Sequence, residues 1–182
     1  DNQVVPFWRN HIEGLCDQKR FGTANIYTVA CNQFEKYTSA GTEFQDINYA
    51  YVDKYRNHLL KTGITRNSVS SYLVALRVVY NRYHKVKSLP KNEIDWQIKF
   101  DETPNRALSI DELRQLIKWE SGDPSLLLAK DLFLFSFYSD GINFFDMAML
   151  QKANIRDGRI VYKRNKTNRT FSININDKLK EL

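Results

Sequence analysis

Five polar residues in one stretch, Arg66, Ser70, Arg77, Asn81 and Lys85, recur at steps of four or seven. On a helix that spacing puts them on one face. Arginine and lysine neutralise phosphate charge, and serine and asparagine add hydrogen bonds, so such a ridge suits contact with a nucleic-acid backbone. The same ridge is also what an ordinary solvated helix face looks like. A second group of cations, Lys163, Arg164 and Lys166, lies further along, with Lys166 flanked by Asn165, Thr167 and Asn168. By position alone Lys166 reads as a solvent-exposed loop lysine. Asp146 stands near the start of a short apolar stretch, where a carboxylate is favoured by the helix dipole.

Charge is distributed unevenly along the 182 residues, whose net charge is +6. Residues 1–90 carry 12 Lys/Arg against 7 Asp/Glu, residues 101–150 carry 4 against 9, and residues 152–169 carry 7 against 1. Two basic segments around an acidic one suit a clamp whose jaws touch a polyanion. Solvated helix faces remain the bland alternative. Hydrophobic residues make up 42%, so a packed core is within reach and disorder is not expected. No apolar run approaches the ~20 residues of a membrane helix, and no signal peptide is visible. Cys16 and Cys31 fall on apolar helical positions without metal-ligand spacing, and read as reduced core thiols of a cytoplasmic protein.

The elements that must carry these residues follow from periodicity. Val4, Trp8, Ile12 and Leu15 mark a first helix. Ile26, Tyr27, Ala30, Phe34 and Tyr37 mark a second, opened by Thr23. A third starts near Asn48 with Val52, Tyr55 and Leu59 inward, and stops at Gly63. The fourth, from Thr65, is the longest, with Val69, Tyr72, Leu73, Leu76, Tyr80 and Tyr83 buried and the polar ridge opposite. Residues 1–88 therefore form a four-helix bundle. Residues 89–107 hold two prolines and read as a linker with one short turn around 94–98, where Trp96 can pin it.

Residues 108–182 change character. Ser109 and Glu112 form a capping box, and Asp123-Pro124 starts a helix so apolar that it should be central. A shorter helix from Phe144 precedes two β-rich runs, 159–164 and 169–175, around a polar turn, which is a hairpin pattern. Trp8, Trp96 and Trp119 read as packing anchors. Tyr27, Tyr72 and Tyr80 read as core residues and not as nucleophiles.

Several stretches together resemble the tyrosine recombinase (phage integrase) family. Thr23-Ala-Asn-Ile-Tyr27 with Phe34, and the run from Thr65 through Tyr72, Leu76 and Tyr80 to Asn81, resemble the signature helices of its SAM-like core-binding domain. Arg106-Ala-Leu-Ser-Ile-Asp-Glu112-Leu resembles the start of its catalytic domain. Phe135 to Leu150, through Gly141-Ile-Asn143 and Asp146, resembles the segment of the first catalytic arginine, in the form found among integrases of Bacteroides-type mobile elements. Arg159-Ile-Val-Tyr-Lys-Arg-Asn-Lys166-Thr167 resembles the hairpin that bears the catalytic lysine.

The resemblance implies a mainly α chain, with a core-binding bundle followed by the first part of an α+β catalytic domain. It implies double-stranded DNA as partner, a tetramer of recombinase protomers on that DNA, and cleavage through a 3′-phosphotyrosine intermediate with no metal or nucleotide cofactor. Lys166 takes the place of the leaving-group acid, and Asp146 that of the residue orienting the arginine segment. Arg66, Ser70, Arg77, Asn81, Lys85, Lys163 and Arg164 become candidate DNA contacts. Asn143, however, occupies the usual arginine position, and Asp140 stands where relatives carry an alternative arginine. No His-x-x-Arg box and no tyrosine after Tyr162 are present. The nucleophile is thus expected beyond Leu182, and the 182-residue chain by itself is not expected to cut DNA. A catalytically degenerate DNA-binding module related to integrases, and a helical interaction protein, are the alternatives.

Overall fold

The computed structural model describes residues 2–90, 93–104 and 106–181. It divides into two compact units, Asp1–Pro104 and Asn105–Leu182.

The first unit is built from α1 (Val4–Asp17), α2 (Phe21–Tyr37), α3 (Tyr49–Lys61) and α4 (Arg66–Val86). Side-chain caps set two of the starts: Asn48 accepts from the Tyr51 amide, and Thr65 from that of Ser68. Gly63, at φ +81°, takes the left-handed conformation that closes α3. Trp8, Phe34, Val52, Tyr55, Leu59, Leu73 and Leu76 are at most 1% exposed, so the inward stripes of all four helices meet in one core. The chain between α2 and α3 is held by Phe44, whose ring stacks on Tyr83 at 3.9 Å.

Two inward assignments fail. Ile26 is exposed because α2 buries Ala24, Ala30, Cys31 and Phe34, a stripe turned away from it. Cys16 is exposed because its neighbour Leu15 takes the inward place. Cys31 is buried, and burial pushes its thiol up to about 11.

Residues 93–101, within the segment read as a linker, are an extended strap seated on this bundle. No helical turn forms around 94–98. Instead Ile94, Trp96 and Ile98 alternate inward, and Trp96 is 5% exposed within the bundle core. The Arg56 guanidinium donates to the Trp96 carbonyl at 2.7 Å. Asn67 clasps Asp101 in both directions, with its amide donating to the Asp101 carbonyl and its oxygen accepting from the Asp101 N–H. Residues 91, 92 and 105 of the same segment lie outside the described residues.

The second unit contains α5 (Ile110–Lys118), α6 (Pro124–Tyr138), α7 (Phe144–Ala148), strands β1 (Ile155–Arg156), β2 (Arg159–Lys163) and β3 (Thr170–Asn174), and α8 (Asp177–Glu181). The capping box of Ser109 and Glu112 is formed, and Asp123 caps α6 with Pro124 at its first position. The sheet is antiparallel in the order β1-β2-β3, with Ile160 opposite Ile173 and Tyr162 opposite Phe171. β1 adds a short strand to the expected hairpin. Ile142, Ile160, Tyr162 and Ile173 make the core, flanked by Phe135, Met147 and Leu150.

Two expectations fail in this unit. Among the residues of α6 only Leu134 is buried, while Leu126, Leu128, Phe133 and Phe137 are exposed, because this unit's core lies along one side of the helix. Trp119 is 40% exposed and anchors nothing comparable to Trp8. No helix among the described residues is long and apolar enough to cross a membrane.

Candidate functional site

The ridge of α4 exists, but the strap changes its membership. Arg66, Asn81 and Lys85 are exposed and Arg77 is half-buried. Ser70 is 5% exposed, and its hydroxyl donates to the Lys99 carbonyl of the strap. It is therefore a fastener of the strap and not a surface donor, which corrects its place among the candidate contacts. The strap runs along α4 antiparallel to it, from Trp96 beside Tyr80 to Asp101 beside Asn67. At the Ser70 fastening lies a cleft of about 270 Å³ lined by Arg56, Arg66, Ser70, Lys99 and Asp101. Further along α4 lies one of about 370 Å³ lined by Arg77, Asn81, His84 and Lys85. Arg56 and Lys99, absent from the sequence-derived set, join it here. No periodicity could have found them, because they reach the ridge from α3 and from irregular chain.

The hairpin of the second unit presents Lys166, exposed, in its turn. The Arg164 N–H donates to the Arg169 carbonyl and the Asn168 N–H to the Arg164 carbonyl, each at 2.8 Å. Asn168 sits at φ +58°, a conformation asparagine tolerates. Lys163 is exposed at the end of β2. Arg164 is half-buried with its guanidinium 5.9 Å from the Phe171 ring centre, so its stem and head serve packing.

Asp146 links this turn to the preceding helix. It is 5% exposed, and its carboxylate accepts from the backbone N–H of Asn165 at 2.9 Å. The Asn143 side chain caps α7, accepting from the Asp146 amide at 3.0 Å while its own amide donates to the Asp146 carboxylate. Asn143 and Asp146 therefore stand side by side behind the loop that carries Lys166. Asp140 is exposed at φ +54° in the left-handed exit from α6, followed by Gly141 at φ +80°.

Burial raises the Tyr55 phenol far above its ordinary value, and raises those of Tyr80 and Tyr162 as well. Tyr162 also stacks on Phe171 at 5.6 Å. Among the described residues no cluster of His, Cys, Asp and Glu could hold a metal ion.

Residues 3–100 match the phage integrase SAM-like domain. The chain belongs to this family. Its fold is similar over the whole chain to that of a lambda integrase, solved as a tetramer bound to a Holliday junction, with a TM-score of 0.75 and 16% identity. The integrase of the Tn1549 transposon, solved with circular intermediate DNA, is similar over the whole chain at a TM-score of 0.68 and 8% identity. A lambda integrase dimer on a core site aligns with 97% of the chain at a TM-score of 0.71 and 13% identity. The chain spans 54%, 63% and 53% of those three proteins. At such identities the likeness of this integrase-family chain to them is one of fold. No curated protein matches it by sequence.

Proposed function

We propose that this chain is the DNA-gripping part of a site-specific tyrosine recombinase of a mobile genetic element. The DNA-binding domain is the bundle of residues 1–88 together with the strap of residues 93–101 seated on it, and residues 108–182 are the first part of the catalytic domain. The observation that carries the reading is a basic α4 face, Arg66, Arg77 and Lys85, on a bundle of the integrase SAM-like family. Guanidinium and ammonium groups there neutralise backbone phosphates, which fixes register on the duplex without reading sequence. Lys163 supplies a further phosphate contact from the second unit. The whole protein works in the cytoplasm, and it assembles as a tetramer on DNA, a reading supported by the lambda integrase tetramer on a Holliday junction.

In the whole recombinase Lys166 protonates the leaving 5′-oxygen when a tyrosine outside this set attacks the scissile phosphate. Its exposed position at a tethered turn suits a group that must reach a substrate. The charge on the phosphorane-like transition state needs preorganised cations. Asn143 offers none and is occupied as a helix cap. That favours a second reading, a binding module that has lost the chemistry.

The test is duplex binding as a function of salt. We expect weak binding whose log-log slope falls by about 0.9 for each phosphate contact removed. Binding indifferent to salt would sink the DNA reading altogether. Formation of a covalent adduct by the longer protein on a nicked substrate separates the active recombinase from the degenerate module.

A further inference from the structure

The clefts beside the α4 ridge belong to the interface already described, and the exposed apolar side of α6 has nothing to say what covers it. A third feature lies elsewhere on the bundle. Between α1, α4 and the turn joining α1 to α2 is a cleft of about 230 Å³, lined among others by Asn10, His11, Gln18, Arg20 and Arg82. Arg82 follows Asn81 on α4, so it points ~100° round the helix from the ridge.

Every polar side chain named in that lining is a donor or can become one, and no carboxylate is among the lining residues. Two guanidiniums from different elements line the cleft together with one imidazole. Arg20 is also the N-cap residue of α2, whose first turn contains no acidic residue and no side-chain cap. A helix start of that kind carries partial positive charge and unsatisfied N–H groups. Two guanidiniums lining one cleft repel each other, and an anion between them would relieve that repulsion. The His11 ring lies edge-on to Tyr27 at 5.1 Å, and burial first, then Arg82 and Arg20, hold its imidazole below the ordinary value.

We propose that this cleft is a phosphate-binding site, with Arg20 and Arg82 as its guanidinium ligands, Asn10 and Gln18 as amide donors, and His11 as a cation that forms when the anion arrives. A phosphate of the DNA backbone and a free phosphate share this chemistry. Where the phosphate is DNA's, the proposal rests on the DNA-binding reading above and extends the contact surface to a second face of the bundle.

The experiment follows the His11 imidazole by NMR across pH in the 182-residue chain. It compares chloride with inorganic phosphate at equal ionic strength, and then adds a short duplex. The chain has 3 histidines, and His58, which lines none of these clefts, is the internal control, while His11→Gln assigns the signal. We expect the His11 titration to rise by about one unit when the anion binds. Arg20→Ala and Arg82→Ala should each weaken phosphate binding about tenfold and abolish the rise. A rise with duplex at micromolar concentration identifies a backbone phosphate, and a rise with inorganic phosphate alone identifies a free anion; either supports the site. An unmoved His11 in both arms, or a rise that survives both arginine substitutions, overturns it. Failure of the ridge reading would show separately, as duplex binding insensitive to salt and to Arg66→Ala and Arg77→Ala, and would leave the inorganic phosphate arm intact.

Discussion

The carboxylate of Asp146 accepts the backbone N–H of Asn165 at 2.9 Å, joining residues 19 apart. Through this bond the start of α7 sets where the Lys166 turn stands. A hydrogen bond to a charged, buried acceptor contributes more than a neutral one, ~1.5–3 kcal/mol. Asp146→Ala should lower the unfolding free energy of the second unit by about that amount. Amide exchange at Asn165 should accelerate more than exchange in β2. Equal acceleration everywhere would mean that the bond does not locate the turn.

Asn143 is a helix cap where the family resemblance places an arginine. Asn143→Arg should cost ~1 kcal/mol in urea unfolding, and Asn143→Ser, which keeps a capping oxygen, much less. In the longer protein the same arginine should leave DNA cleavage unchanged or raise it, if the slot has only lost its charge. Lost cleavage at normal folding would show that the slot lies elsewhere.

Ser70 and its ridge neighbours should separate cleanly. Arg66→Ala with Arg77→Ala should flatten the salt dependence of duplex binding by about two units. Ser70→Ala should leave that slope alone and destabilise the bundle by ~1 kcal/mol, because its hydroxyl bonds to the strap carbonyl of Lys99. A reduced slope in Ser70→Ala would return Ser70 to the DNA surface.

Trp96 is the strap's anchor, 5% exposed, with its carbonyl held by Arg56. Trp96→Ala should cost ~3–5 kcal/mol, a large share of a domain's stability. Limited proteolysis should then cut first within residues 93–101. Protection of that segment in the variant would mean that the Asn67–Asp101 clasp alone keeps it seated.

His11 gives the bundle a pH dependence of definite sign. Its folded-state value is lowered, so the unfolded chain binds the proton more readily. The contribution is present above the ordinary value of 6.5 and is lost as pH falls through the folded value. Thermal unfolding midpoints should drop between neutral and mildly acidic pH in the wild type, and drop less in His11→Gln. Identical profiles would remove His11 from the account.

The sequence by itself determined the four helices, with starts near Asn48 and Thr65, the capping box at Ser109, and the pairing of the two β-rich runs. Those are local matters, in which apolar period and cap chemistry act over one or two turns of chain. The strap was legible too, since Ile94, Trp96 and Ile98 alternate with polar residues, but two prolines nearby favoured reading a linker. What only the tertiary structure decided is which polar groups meet across distance. Ser70 looks like its ridge neighbours until the Lys99 carbonyl arrives above it, and Asp146 looks like a dipole-favoured carboxylate until the Asn165 amide reaches it. The meeting of His11 with Arg20 and Arg82 joins α1, the α1–α2 turn and α4. Such contacts depend on how helices pack, and a linear pattern carries the faces that pack but not the partners they find.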